Sequence, residues 1–226
     1  MVNLIMKSMT LTPRFLLAAF SLLFAGLFFS SASLNNMEPQ PELAIGAKAP
    51  MSDVLLQNID GTFLSLEGAA GKNGLLVVFS CNTCPFVIGN GTKSDGWEGR
   101  YNETAAKAEA YGFNMMLINS NEAKRDHHDS VEAMRTHAKE QGYTMPYLVD
   151  TDHTIADAFG ALKTPHVFLF NNKMELVYRG SIDDNVSDAA AVESFYVLDA
   201  MAEASIGKPC SVPETKAIGC SIKRVR

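Results

Sequence analysis

One tryptophan and four cysteines are all that this 226-residue chain holds of its two scarcest residues. Four cysteines are too few to frame a scaffold of this length with disulfides, so they point to chemistry and leave folding to an apolar core. No basic block and no basic–aromatic interleaving occurs, and 25 acidic residues stand against 19 basic ones. Nucleic acid is therefore excluded as the expected partner. No internal repeat or low-complexity tract is present, which excludes a solenoid. Charged residues are only 19% of the chain while apolar ones reach 47%, a balance that excludes wholesale disorder.

The uncharged apolar run 15–29 falls short of the ~20 residues of a membrane span. Lys7 and Arg14 precede it, and Ser30-Ser31-Ala32-Ser33 follows. A positive start, an apolar middle and a small-residue exit form the pattern of a secretory signal peptide over residues 1–33. Its removal leaves 17 basic against 25 acidic residues. The alternative is an uncleaved membrane anchor. No cysteine stands directly after the run, so a lipidated start of the bacterial type is unsupported. The sequence thus predicts an exported chain, periplasmic or secreted. Residues 34–44 read as a linker, 45–206 as one domain, and 207–226 as an extended tail carrying Pro209 and Pro213.

The stretch 75–87, LLVVFSCNTCPFV, carries the strongest signal. Its aliphatic start reads as a strand buried on both faces, running straight into a helical start at Phe86. Cys81 and Cys84 fall at the junction, and two cysteines separated by two residues there are the mark of a redox dithiol. The expected geometry puts Cys81 at the helix N-terminus, where free N–H groups favour a thiolate, and Cys84 one turn further in. Pro85 is tolerated in a first turn, where an N–H has no intrahelical partner to lose.

Around this unit the sequence predicts strands over 51–57 and 62–66 joined by an Asp-Gly turn, a hairpin ahead of the central strand. Four glycines within 89–99 break the helix after the dithiol, and it resumes over 97–111. Further strands are expected at 113–119, 147–150, 167–170 and 175–179. Helices are expected at 130–141, 154–159 and 188–204, the first capped by Ser130. Such alternation gives an α/β fold, a mixed central sheet with helices on both faces.

Thr164-Pro165, directly before a strand, completes the set. With Cys81-Asn82-Thr83-Cys84-Pro85 it resembles the thioredoxin superfamily, whose downstream cis proline faces the dithiol. In that resemblance Thr164 and Pro165 bind substrate, the residue before the proline pairing its backbone with the substrate chain. The hairpin, the segments 118–122, 146–150 and 176–184, and the tail 212–223 are similar to the redoxin branch, the alkyl-hydroperoxide-reductase and thiol-specific-antioxidant-like proteins. The resemblance implies a thioredoxin-like fold and a thiol–disulfide oxidoreductase with no cofactor beyond the Cys81–Cys84 pair. It also implies a protein thiol or disulfide substrate and a reductant or oxidant partner.

Two positions depart from that branch. Its peroxidases place Thr or Ser three residues before the reactive cysteine, with a Pro four residues before that; here Val78 and Gly74 stand there. Val78 donates no hydrogen bond to a peroxide, so the redoxin-type thiol peroxidase is the second reading. Thioredoxins keep a buried acid six residues before the nucleophile, where this chain has Leu75. A third reading, from another class, is a copper-binding assembly protein using the two cysteines and His166. Strand alternation leaves open whether His166 points to the dithiol or away from it. His127, His128, His137 and His153 read as solvated. A zinc site is not expected, because Cys210 and Cys220 are too widely spaced for a second knuckle. Those two cysteines either pair with each other, which is the simplest reading, or let Cys220 reach Cys81 as an extra resolving thiol, or bond another chain.

Overall fold

The computed structural model describes residues 41–91 and 93–225. The expected signal peptide (1–33) and most of the expected linker lie outside these. Strand β3 (Gly74–Phe79) is buried along its whole length, as its unbroken aliphatic sequence requires. It pairs antiparallel with β7 (His166–Asn171), which pairs with β8 (Leu176–Gly180). A second ladder runs in the order β2 (Phe63–Leu64), β1 (Leu56–Asn58), β5 (Tyr147–Val149), β4 (Phe113–Asn119). There β4 and β5 are parallel and the remaining pairs antiparallel. The Ser80 N–H bonds the Ile118 carbonyl at 2.9 Å, tying the end of β3 to β4. The chain therefore has the expected thioredoxin-like α/β fold with its hairpin at β1–β2, although β1 starts five residues later than the sequence suggests.

Side-chain alternation along β3 divides the interior in two. Leu76 and Val78 face a cluster that holds Cys81, Cys84, Trp97 and residues of α2 (Tyr101–Ala110), α3 (Val131–Glu140) and α5 (Tyr196–Ser205). Leu75, Val77 and Phe79 face the other side, against Phe168, Phe170 and the residues Ile155, Ala156 and Phe159 of α4 (Thr154–Phe159). Phe79, Phe159 and Phe168 meet edge to face there, at 5.2 to 5.6 Å between ring centres. Local signals set most helix ends. The Ser130 hydroxyl accepts the Ala133 N–H at 3.1 Å, and Gly160 closes α4 in the left-handed conformation.

One element differs from expectation. Helix α5 begins at Tyr196, eight residues later than the predicted start at 188. The preceding loop is held elsewhere: Asp183 accepts the Trp97 indole N–H at 2.7 Å and Arg100 at 2.5 Å, and the Asp184 N–H bonds the Ser194 carbonyl. The tail, expected to be extended, is extended and is also stitched to the domain. The Thr215 N–H bonds the Arg179 carbonyl, and Ser181 bonds the Lys216 carbonyl. Arg224 reaches Asp157 at 2.6 Å. Residues 207–225 thus belong to the folded unit.

Candidate active site

The chain leaves β3 at Phe79 and turns through Ser80 to Cys84 before helix α1 (Pro85–Ile88) begins. Cys84, not Cys81, is the N-cap residue, and its carbonyl accepts the Val87 and Ile88 N–H groups at 2.8 and 2.9 Å. The expected helix start was one turn too early. Two things delay it: Pro85 suits the first helical position, and the loop before it is anchored sideways. Asn82 donates its backbone N–H to the Asp129 carboxylate at 3.0 Å, while its side chain bonds the His128 carbonyl and the Tyr147 hydroxyl. Thr83 is exposed between two buried cysteines, each only 2% exposed.

Both sulfurs meet Thr164. Cys81 Sγ lies 3.2 Å from its hydroxyl, and the Cys84 thiol donates to its carbonyl at 3.0 Å. The Thr164–Pro165 peptide is cis, and Pro165 is buried. Sharing Thr164, the two thiols influence each other's ionisation, which favours charge on one of them only. Cys84 is the one favoured. The Cys81 thiol beside it, then the Cys220 thiol and N–H and the Phe86 N–H, draw its pKa down to about 5 against the opposing effect of burial. Cys81 is pushed upward, first by Cys84 beside it and then by burial.

The tail completes the cluster. Strand β9 (Cys220–Ser221) pairs antiparallel with β6 (Lys163–Thr164), placing Cys220 opposite Thr164. The Cys220 N–H points at Cys84 Sγ from 3.3 Å. Gly219 makes this approach possible, since a Cβ there would stand 2.3 Å from the Thr164 carbonyl oxygen. All four cysteines are free. Cys210 sits apart from this group, its sulfur facing the Ala200 carbonyl of α5 at 3.7 Å. Cys220 therefore has Cys84 as its neighbour, where the simplest sequence reading gave it Cys210.

The resemblance reading brought Cys81, Cys84, Thr164 and Pro165 to one place, and the fold assembles them there. It missed Asp129, which is fully buried and accepts from Asn82, Asn119 and Asn121. A lone Asp inside a polar loop gives no sequence signal, because its partners come from two other segments, the CxxC loop and the end of β4. His166 stacks on Phe168 with its ring centre 4.5 Å away, on the sheet face opposite Cys81 and Cys84. It is not placed to join the cysteines as a copper ligand. Among the described residues no group of three or more His, Cys, Asp or Glu side chains is arranged to hold a metal ion. His127 and His128 are exposed as expected; His137 instead bonds the buried Glu98, and His153 bonds Asp157.

The Redoxin family model matches residues 44–192. The chain belongs to the Redoxin family. Among solved structures, an uncharacterized conserved protein from Geobacillus kaustophilus is 30% identical with a TM-score of 0.71, over 80% of this chain and 93% of that one. A hypothetical protein from Sinorhizobium meliloti 1021 is 27% identical with a TM-score of 0.67, over 82% and 97%. The peroxidoxin BcpB from Mycobacterium tuberculosis shares the fold at 15% identity and a TM-score of 0.53, over 71% and 97%. No curated protein matches the chain.

Within this Redoxin, Val78 is fully buried on the dithiol side of β3, and Gly74 lies against the Phe170 carbonyl, with no room for a Cβ. Leu75 is likewise buried, on the face away from the dithiol. The polar group nearest the CxxC backbone is Asp129 instead, bonded to Asn82 between the two cysteines.

Proposed function

We propose that this Redoxin is a thiol–disulfide oxidoreductase working through Cys81 and Cys84, acting on protein thiols or disulfides. The observation that carries this reading is the meeting of two buried sulfurs at Thr164, beside a cis proline. Cys84, the thiolate-prone sulfur, is the one through which exchange enters and leaves; Cys81 closes the disulfide behind it. That order is the reverse of the one expected from sequence, and the Cys220 N–H aimed at Cys84 Sγ from 3.3 Å supports it. Thr164 and Pro165 are the contacts an extended peptide would use, along the Lys163–Thr164 edge that β9 occupies in this structure. The apolar run 15–29 behind Lys7 and Arg14 supports export, where a dithiol needs a partner to set its redox state.

Insulin reduction driven by a small dithiol tests the reading. The parent should turn over, and Cys81→Ser and Cys84→Ser should each lose activity at least about tenfold, or 1.4 kcal/mol of barrier. Full turnover in the double variant would move the chemistry away from this pair. A thiol peroxidase is the second reading, favoured by the family and the peroxidoxin fold neighbour. Buried Val78 in place of a hydroxyl donor speaks against it, and peroxide consumption should stay far slower than disulfide exchange.

A further inference from the structure

Neither sulfur of the Cys81–Cys84 pair is open to a protein partner, each being 2% exposed. Exchange requires an attacking sulfur to reach the one it displaces, so access decides the route. The cover over Cys84 is the tail. Cys220 pairs with Thr164, and its N–H is aimed at Cys84 Sγ from 3.3 Å. Cys220 itself is only half-buried. Of the three sulfurs it is the one that meets solvent.

Its position is built on both sides. Gly219 packs against the Thr164–Pro165 peptide where a larger residue has no room. Beyond Cys220, Ile222 is buried in the core and its N–H bonds the Leu162 carbonyl at 3.1 Å. Lys223 bonds Asn121, and Arg224 bonds Asp157. A thiol fixed this way stands at a high effective concentration beside Cys84. The tail also fills the edge at Thr164 that an incoming peptide would use, so Cys220 occupies the place of a substrate sulfur.

We propose that Cys220 is a third redox thiol, carrying the disulfide between the buried Cys81–Cys84 pair and an exposed dithiol on a partner protein. This rests on the oxidoreductase reading above. In the oxidised protein the Cys220 thiolate attacks Cys84; the Cys84–Cys220 bond forms and the Cys81–Cys84 bond breaks. Cys81 leaves with the electron pair and takes up the proton that Cys220 gave up, so no outside oxidant is needed. A partner thiolate then attacks Cys220, releasing the Cys84 thiolate, a good leaving group because its pKa is low. The partner's second thiol displaces Cys220, which leaves as a thiol. One disulfide has moved to the partner and the pair is reduced.

Single-turnover reduction of the oxidised full-length chain tests this, using reduced thioredoxin as the protein dithiol and a small phosphine as a reductant that needs no docking. Cys220→Ser should slow reduction by the protein dithiol at least about tenfold, 1.4 kcal/mol of barrier, and leave phosphine reduction unchanged. Gly219→Ala keeps the thiol but lifts it from Cys84, and should show the same selective loss. Cys210→Ser should match the parent. Independently, peptide mapping of the oxidised Cys81→Ser chain, with Cys220 intact, should show a Cys84–Cys220 bridge. Parent-like rates with the protein dithiol in Cys220→Ser, or a Cys84 left unbridged in that map, would overturn the relay alone. A parent with no exchange at Cys81–Cys84 would overturn the oxidoreductase reading and the relay with it.

Discussion

The Asp129 carboxylate holds the CxxC loop from below by accepting the backbone N–H of Asn82 at 3.0 Å. Its other bonds go to the side-chain amides of Asn119 and Asn121 at 2.8 and 3.0 Å, so one buried group ties its own loop to two other segments. Asp129→Asn keeps one acceptor and turns the other into a donor facing the Asn121 amide. The expected loss is about 1–3 kcal/mol of stability, measured by urea unfolding of the reduced protein. Exchange should slow as well, because the loop carrying both cysteines loses its anchor. Unfolding that superimposes on the parent would show that Asp129 is not this anchor.

Cys84 should make the reduced protein pH-dependent in a defined window. Its thiol ionises near 9 when unperturbed and near 5 in the fold. Between those values the folded state binds fewer protons, so this group's stabilisation is complete above about 9 and disappears as pH falls through 5. Cys81, shifted upward, acts in the opposite sense at the alkaline end. Ultraviolet thiolate absorbance at neutral pH should vanish in Cys84→Ser. If it vanishes only in Cys81→Ser, the two sulfurs exchange roles.

His166 makes the fold acid-sensitive without serving the site. Both of its ring nitrogens are buried with no hydrogen-bond partner. Burial, with Arg179 adding to it, holds its pKa down to about 3 from 6.5. The unfolded chain takes up a proton below 6.5 that the folded chain refuses, so this contribution is intact above 6.5 and is lost as pH falls toward 3. His166→Phe should flatten the acid limb of the stability curve and leave exchange unchanged. Acid limbs that coincide would show the histidine finds a partner in solution.

Asp183 is a second buried anchor. Its carboxylate takes the Trp97 indole N–H and the Arg100 guanidinium, both from the helix side of the dithiol. Asp183→Ala leaves Arg100 without its counter-charge and should cost about 3 kcal/mol or more, read as a fall in the denaturation midpoint. Asp183→Asn, which keeps an acceptor for Trp97, should cost less. Equal losses in the two variants would mean the charge is unimportant.

Local chemistry wrote much of this fold legibly. The strand Phe113–Asn119 is bounded by a glycine and polar residues, and the helix Val131–Glu140 opens on its own Ser cap. The CxxC spacing and the Thr-Pro step were equally plain. What could not be read were features that depend on partners distant in the chain. Helix α5 starts late because the residues before it are held elsewhere, the Ala189 N–H by Asp95, 94 positions away, and the Glu193 N–H by Asp184. Cys220 meets a sulfur 136 positions away through the register of a two-residue strand, and no spacing rule encodes that. Asp129 gathers three asparagines that come together only once the sheet has formed.

The chain's single tryptophan is buried in the same cluster as Cys81 and Cys84, and its backbone N–H bonds the Phe86 carbonyl, two residues past Cys84. Thiolates and disulfides quench indole emission at short range. Trp97 therefore gives the protein an intrinsic optical gauge: emission intensity should step as the dithiol is titrated against a redox buffer. A potential could then be measured without any label, from one indole excited at the red edge where the six tyrosines do not absorb.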